Sequence, residues 1–389
     1  MGGWGRLANS QPLGKMHACN PFFLYVCNSR FKQKYKSEYF TIIKWRKYLS
    51  TSPQREERMK LIRKIEEATD SRMLVYLTGD RKNLETVIAH DALPFCLNHL
   101  MRMQNPSSIS LFLYSTGGRT MAGYGLANLI REFCKKFIVI VPFKALSCAT
   151  LITLGADEII MTRIGQLSPI DPSIPHILGP RPSGYPTNAP PIPVSVEDVM
   201  NYLQMARDEV GIKDQDLLER VYDRLSQEIH PLALGSVYRL KTQIIFLAKS
   251  LLSTHMKEES KINEIVDTLY RGRYSHDYPI GRKEADEVIG LPIKEENIKL
   301  ESLIMRLYEH YDKLLELSVP YSPELALGGE DSKTVSLNRA IIESDSLSHV
   351  FRSTHKYNRV KLTPPKVPTP MEVPMERLIQ AQWVEDKDI

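Results

Sequence analysis

Short apolar strand patterns alternate with helix patterns between residues 109 and 161, and this alternation constrains the fold more than any other feature of the sequence. The runs LFLY and FIVIV have no polar face, as expected of parallel strands that are covered on both sides. Helix-like segments such as TMAGYGLANLIREFC and SCATLITLGA separate the strand patterns. Such alternation predicts βαβ crossovers, so we expect an α/β protein built on a parallel sheet.

The sequence around this pattern divides into three parts. Residues 1–58 are basic and aromatic, which suits a disordered extension, a targeting leader, an arm for an anionic membrane surface, or sequence upstream of a start at Met59. The regular pattern of residues 59–325 predicts one domain that is mostly helical after residue 196. Residues 326–389 are polar and contain LTPPKVPTPMEVP, which predicts an extended C-terminal tail.

Charge and cysteine usage exclude several classes of protein. The net charge is +5, but residues 1–55 carry ten Lys and Arg against one acidic residue, so the remaining 41 basic and 45 acidic residues sum to −4. The basic balance therefore belongs to the N-terminal segment and gives no reason to expect a nucleic-acid partner. Five scattered cysteines without a CxxC pair favour a reducing, cytoplasmic compartment over a disulfide framework or a zinc site.

Two loops that follow predicted strands carry the residues suited to chemistry. The first is STGG, which ends in Gly117 and Gly118 directly after LFLY, and two glycines there allow a close backbone approach to a ligand. The second is ALSCA, which places Ser147 between an apolar strand and a helix start. Ser147 is either a helix cap or a nucleophile. Together with the Cys148 amide, these loops offer a hydroxyl and N–H donors for an oxyanion, as acyl transfer requires.

The sequence resembles the serine dehydrogenase proteinase family over roughly residues 59–320. The motifs that carry the resemblance are STGG, ALSCATLITLGADEIIM, GQLSPIDPSI, HPLALG and GRYSHDYPIGRKEADEVIGL. This family lies in the prokaryotic branch of the signal-peptide-peptidase clan, within the Clp protease/crotonase superfamily. The resemblance implies a βαβ spiral core, followed here by a mostly helical C-terminal part, and serine peptidase activity without ATP, metal or cofactor. It also implies a homo-oligomer, and several members of the family are membrane-associated.

The resemblance assigns roles to individual residues. Ser147 is implied as the nucleophile, with Gly117, Gly118 and the Cys148 amide as the oxyanion hole. Family members typically have LGPIDP where this chain has LSPIDP, with Ser168 in place of the glycine. They also have Gly or Ala where this chain has Cys148, so that Cys148 itself is a second, less favoured nucleophile.

The base that activates Ser147 stays open between a histidine and a lysine. The Clp proteolytic subunit has its catalytic histidine in the loop after the strand that resembles DEIIM, and its catalytic aspartate just before a helix that contains Glu-Ala. In this chain the position of that histidine falls on Asp171, and the segment before Glu284 contains His276. A triad of Ser147, His276 and Asp171 with the two charge types exchanged is therefore one hypothesis. The signal-peptide-peptidase clan uses a Ser–Lys dyad instead, for which Lys241 and Lys249 are the candidates.

Two further functions compete with a serine peptidase that cleaves peptides or proteins. One is a crotonase-like acyl-CoA enzyme, which shares the fold and the oxyanion hole but would not depend on Ser147. The other is a non-catalytic oligomeric scaffold, since a fold does not guarantee an activity. A basic residue within hydrogen-bond reach of Ser147 Oγ would favour the peptidase.

Overall fold

A seven-stranded mixed sheet organises the chain in this computed structural model, which describes residues 54–170, 173–174, 178, 192, 194–271, 278–362, 370–386 and 389. The strands in chain order are β1 (Arg72–Thr78), β2 (Ser108–Tyr114), β3 (Lys136–Val141), β4 (Lys144–Ala145), β5 (Glu158–Met161), β6 (Gln166–Leu167), β7 (Ser173–Ile174), β8 (Val194–Ser195), β9 (Ile280–Gly281), β10 (Ser332–Ser344), β11 (Leu347–Leu362) and β12 (Met371–Glu385). The large sheet has the order β12-β11-β10-β1-β2-β3-β5, and β4-β6-β9 form a small second sheet.

Helices cover both faces of the large sheet and continue after it. They are α1 (Gln54–Thr69), α2 (Leu93–Arg102), α3 (Thr120–Arg131), α4 (Cys148–Thr153), α5 (Val196–Gln204), α6 (Gln215–Glu228), α7 (Pro231–Leu252), α8 (Glu259–Arg271), α9 (Ile298–Leu315) and α10 (Pro323–Leu327). Two single π-helical turns, Met205–Glu209 and Glu284–Val288, lie among them. The expected α/β class is confirmed, including the predominance of helix between residues 196 and 327.

The parallel strands are buried on both faces, as the runs LFLY and FIVIV predict. Strands β1, β2, β3 and β5 are parallel to one another. Alternate residues of each strand enter two different cores: Leu111 and Leu113 pack with α2, α3, α4 and α7, whereas Phe112 packs with α1 and α9. Because side chains alternate between the faces of a strand, a fully apolar strand fills both layers.

The C-terminal segment differs from the extended tail that the sequence predicts. Residues 332–385 supply three antiparallel strands, and β10 pairs with β1 so that Tyr76 faces Ile342. A buried ion pair fixes this attachment, because Arg58 Nε of α1 donates to Glu343 Oε2 at 2.8 Å and Tyr311 donates to the same oxygen at 2.7 Å. No residue of β12 is buried, and the first five residues of β10 are exposed or half-buried, which is why this segment has a polar composition.

Candidate active site

The two loops singled out in the sequence lie side by side at the carboxyl ends of β2 and β4. Ser115 N–H donates to the Lys144 carbonyl and Leu146 N–H donates to the Ser115 carbonyl, both at 2.9 Å. A Cβ atom on Gly117 would lie 2.9 Å from Ser147 Cβ and 3.3 Å from Ser147 Oγ. The glycine turn and the serine turn are therefore in contact, and any side chain at residue 117 would displace Ser147.

Ser147 has a backbone conformation that L-residues rarely adopt. Its φ is 53° and its ψ is −113°, immediately before the first residue of α4. Such a conformation costs on the order of 1–3 kcal/mol and persists only when the surrounding structure enforces it. The side chain makes no capping hydrogen bond to α4, which removes the structural role that a serine at a helix start usually has. Ser147 is half-buried, and its Oγ is hydrogen-bonded to none of the residues that the structure describes.

Two buried hydroxyl groups hold this strained turn. Ser147 N–H donates to Ser168 Oγ at 2.7 Å, and Ser168 Oγ–H donates to the Pro169 carbonyl at 3.0 Å. Ser168 N–H donates to Thr150 Oγ1 at 3.0 Å, and Thr150 Oγ1 in turn donates to the Ala145 carbonyl at 2.8 Å. The strand before Ser147, the helix after it and the loop at residue 168 are thus linked around the turn.

The three amides expected to form an oxyanion hole differ in availability. Gly117 N–H donates to Ser115 Oγ at 3.0 Å, and Thr78 supports that hydroxyl with a hydrogen bond of 2.7 Å. Gly117 therefore shapes the turn rather than offering a free donor, which corrects that part of the expectation. Within the described ranges, neither Gly118 N–H nor Cys148 N–H donates to a protein acceptor. These two amides are the donors that remain for an oxyanion.

Gly118 is held by the backbone of residue 88. Its φ is 154°, and a Cβ atom there would lie 2.3 Å from Ile88 O and 2.4 Å from Ile88 N. Ile88 N–H donates to the Gly117 carbonyl at 2.9 Å, and Arg119 N–H donates to the Ile88 carbonyl at 2.8 Å. Only glycine fits so close to another backbone, so the requirement for Gly118 is steric.

Cys148 is not placed to act as a nucleophile. Its side chain is buried and its Sγ donates to the Arg119 carbonyl at 3.3 Å. Burial raises the pKa of the thiol to about 12, which disfavours the thiolate that nucleophilic attack requires. The space for this sulfur comes from Gly123 of α3, where a Cβ atom would lie 2.4 Å from Cys148 Sγ.

The candidate bases lie in different parts of the chain. Asp171 and His276 are outside the described residues. Lys241 and Lys249 both lie on α7, and Lys241 Nζ is 5.6 Å from the centre of the Tyr270 ring. Lys241 also lines a cleft of about 840 Å³ between α5, α6, α7 and α8, together with Tyr222 and Tyr270.

The orientation of α7 separates the two lysines. Gln243 contacts Met121 at the start of α3, close to the glycine turn, whereas Leu251 lies within 3.3 Å of the Cβ position of Gly155, beyond the end of α4. Lys241 is therefore on the Ser147 side of α7, and Lys249 is about 12 Å further along the helix axis at 1.5 Å per residue.

Neither a metal-binding cluster nor a membrane-spanning helix is found among the described residues. No group of three or more His, Cys, Asp or Glu side chains in these ranges is arranged to hold a metal ion. Across the same part of the chain, no helix has both the length and the apolar content needed to span a membrane.

The sequence interpretation missed several residues that build the site. Ser115 and Thr150 orient the two turns through their hydroxyl groups, and Gly123 provides room for Cys148. The sequence did mark Ser168 as unusual, because the resembling family typically has glycine at this position. Its partner is 21 positions away in the chain, a relationship that only the fold reveals.

Comparisons with known proteins agree with the resemblance noted in the sequence. Residues 39–183 match the family described as ClpP-like SDH-type serine proteinase. Two uncharacterized proteins of Methanocaldococcus jannaschii are also similar. MJ0137 is 29% identical over 201 residues, which cover 52% of this chain and 58% of that protein. MJ1495 is 26% identical over 224 residues, which cover 55% and 63%. The chain thus spans about three fifths of the length of these relatives.

Solved structures give a looser likeness. A mutant of the 1510-N membrane-bound stomatin-specific protease in complex with a substrate peptide matches with a TM-score of 0.32 and 17% identity, over 55% of this chain and 73% of that one. A second mutant of the same protease matches with a TM-score of 0.31 and 15% identity, over 53% and 75%.

Proposed function

We propose that this chain, whose residues 39–183 match the ClpP-like SDH-type serine proteinase family, is a serine peptidase that uses Ser147 as its nucleophile. The observation that carries the proposal is the strained backbone of Ser147 beside the amides of Gly118 and Cys148. A hydroxyl held in a strained strand-to-helix turn next to unpaired amides suits acyl transfer. Substrates of this chemistry are peptides or proteins.

The reaction follows from these groups. Ser147 Oγ attacks the carbonyl carbon of the scissile bond and loses its proton to a base. The carbonyl oxygen becomes negatively charged and accepts hydrogen bonds from Gly118 N–H and Cys148 N–H. The base then protonates the leaving amine, an acyl-enzyme remains on Ser147, and a water molecule hydrolyses it. No ATP, metal ion or cofactor takes part in these steps.

For the base, we propose His276 oriented by Asp171, both of which lie outside the described residues. The support comes from the antiparallel pair of Leu167 with Ile280, because Asp171 follows Leu167 by four residues and His276 precedes Ile280 by four. The segments that lead to both residues therefore start from one place, beside Ser168. The alternative base is Lys241, which lies nearer the Ser147 end of α7 than Lys249.

We also propose that the chain forms a homo-oligomer in which α6 takes part. This helix has no buried residue, and its Leu217 and Tyr222 are 46% and 47% exposed. Light scattering after gel filtration measures the mass of the assembly, and the double variant Leu217→Glu, Tyr222→Glu should reduce that mass.

A peripheral membrane contact through basic residues 1–58 is a further proposal. Sedimentation of the protein with anionic vesicles tests it.

Hydrolysis of an unfolded protein such as casein tests the proposed activity. Ser147→Ala should abolish hydrolysis, whereas Ser110→Ala should retain it, since Ser110 is a buried serine of β2 whose hydroxyl is paired with Ser71. His276→Ala and Lys241→Ala, assayed in parallel, identify the base by which of them removes activity. Hydrolysis that persists in Ser147→Ala contradicts the assignment.

The same variants separate the two competing functions. A crotonase-like acyl-CoA enzyme would keep its activity after loss of Ser147, because its acid–base groups lie elsewhere. A non-catalytic scaffold would show no hydrolysis in the unmodified protein and would keep its assembly in Ser147→Ala.

A further inference from the structure

The strained turn at Ser147 depends on a hydrogen bond that the resembling family's usual sequence does not provide. Ser168 stands where that family typically has glycine, and its Oγ accepts the Ser147 N–H at 2.7 Å. Ser168 is 1% exposed, so the accepting side of this hydrogen bond is buried. The family motif therefore does not account for Ser168, whereas its contact with Ser147 does.

The hydrogen bonds of Ser168 have a defined direction. Its hydroxyl proton goes to the Pro169 carbonyl at 3.0 Å, which leaves an oxygen lone pair for Ser147 N–H. Its own N–H is anchored on Thr150 Oγ1 at 3.0 Å, and Thr150 is anchored on the Ala145 carbonyl at 2.8 Å. Both Ser168 and Thr150 are buried, so the acceptor that faces Ser147 is fixed in position.

Fixing the Ser147 amide fixes the groups attached to the same residue. The Ser147 N–H lies in the plane of the preceding peptide, so its hydrogen bond to Ser168 orients that plane. Relative to this plane, φ sets the direction of the Ser147 side-chain bond, and ψ then sets the plane of the Cys148 amide. The nucleophilic oxygen and one oxyanion donor thus share a single support. Loss of that support leaves the N–H of the half-buried Ser147 without its acceptor and allows the turn to relax from φ 53°.

We propose that Ser168 is a positioning residue that holds Ser147 and the Cys148 amide in the geometry for attack. The inference rests on the proposed function of Ser147 as the nucleophile. Ser168 does not touch the substrate and acts through the Ser147 backbone. Its removal should therefore lower the rate of the chemical step and leave binding nearly unchanged.

The test uses a fluorophosphonate probe on the full chain, with its rate of covalent reaction and its affinity measured separately. Ser168→Ala should lower the maximal rate of labelling at Ser147 about tenfold or more, with the affinity for the probe changed less than twofold. Ser110→Ala removes another buried serine hydroxyl, near the start of β2 and away from the carboxyl end that carries the site, and should label at the unmodified rate. Ser168→Cys keeps a side chain of similar size but offers Ser147 N–H a weaker acceptor, so its labelling rate should lie between those of Ser168→Ala and the unmodified protein. This variant provides the test if Ser168→Ala does not fold.

Amide hydrogen exchange supplies a readout that does not depend on activity. The peptide that contains Ser147 should exchange faster in Ser168→Ala than in the unmodified protein or in Ser110→Ala. Equal labelling rates and equal exchange in the Ser168 and Ser110 variants would overturn the positioning role. An unmodified protein that is not labelled at Ser147 would overturn the proposed function instead, while the exchange data still decide whether Ser168 holds the amide.

Discussion

Gly123 and Cys148 are packed so closely that a Cβ atom at residue 123 would lie 2.4 Å from Cys148 Sγ. Alanine usually stabilises a helix interior relative to glycine by about 0.5–1 kcal/mol. Gly123→Ala should instead destabilise the protein, because overpacking a core costs about 1–3 kcal/mol, and should slow labelling of Ser147 by shifting Cys148. Thermal unfolding and labelling rates measure both effects.

A second substitution tests whether the sulfur is the cause. Cys148→Ala should restore part of the stability lost in Gly123→Ala, although Cys148 O and Ile152 Cγ1 would still lie 3.2 and 3.3 Å from the new Cβ. Gly125→Ala is the matched control in the same helix, since among the described residues its Cβ would meet only Leu93 Cδ1, at an ordinary contact distance of 3.5 Å. A Gly123→Ala protein as stable as Gly125→Ala contradicts the packing argument.

Gly118→Ala should lower the hydrolytic rate by about 10²–10³-fold, which is the usual effect of losing one oxyanion donor. The physical reason is the backbone of Ile88, whose carbonyl oxygen would lie 2.3 Å from the new Cβ and would force the Gly118 amide to move. Steady-state hydrolysis and circular dichroism measure rate and folding. Gly211→Ala controls for backbone strain alone, because Gly211 also has a positive φ of 77°, but a Cβ atom there would meet none of the described residues beyond its chain neighbours within 4 Å. Similar rates in the two variants would refute Gly118 as a donor.

A buried histidine pair should make the stability of the protein sensitive to acid. His99 Nε2 is 3.0 Å from His349 Nδ1, and His99 Nδ1 is 2.7 Å from Ser344 Oγ. Burial, reinforced by the charges of His349 and Arg102, lowers the pKa of His99 from 6.5 to about 3, and burial also lowers the pKa of His349, against an opposing effect of Glu385. Both imidazoles are therefore neutral in the folded protein at pH values where the unfolded chain is protonated.

The sign of the pH effect follows from these shifts. Above pH 6.5 the contribution of His99 to stability is complete, and it is lost as the pH falls from 6.5 towards 3, because the unfolded state then binds the extra proton. One histidine accounts for about 1.4 kcal/mol per pH unit in that window. The free energy of unfolding in urea should be lower at pH 5 than at pH 7. His99→Gln should reduce this dependence of the unfolding free energy on pH, whereas His90→Gln, at an exposed position, should not. An equal slope in all three proteins would rule out the histidine pair as its source.

The sequence predicted the parts of the fold that depend on local pattern. Strands β2 and β3 could be recognised because both of their faces are buried and their apolar runs are continuous. Strands β10 to β12 could not, since β12 and the first part of β10 bury no residue and have a polar composition similar to that of a loop. The pairing of β10 with β1 joins residues separated by more than 250 positions, and no local signal indicates it.

The sequence also predicted only part of the candidate site. Ser147 and Gly118 could be found because small residues and glycines stand at strand ends, where ligands bind in α/β proteins. The hydrogen bond from Gly117 N–H to Ser115 Oγ could not be predicted, since it depends on the rotamer of Ser115. The roles of His276 and Asp171 stay predictions, because both residues lie outside the described part of the chain.

The most direct measurement is mass-spectrometric mapping of the fluorophosphonate adduct on the full-length protein. We predict one phosphonylated residue, Ser147, in the unmodified protein and no adduct in a folded Ser147→Ala variant. An adduct on another residue, undiminished labelling of the variant, or a folded unmodified protein that does not react would contradict the claim that Ser147 is the nucleophile.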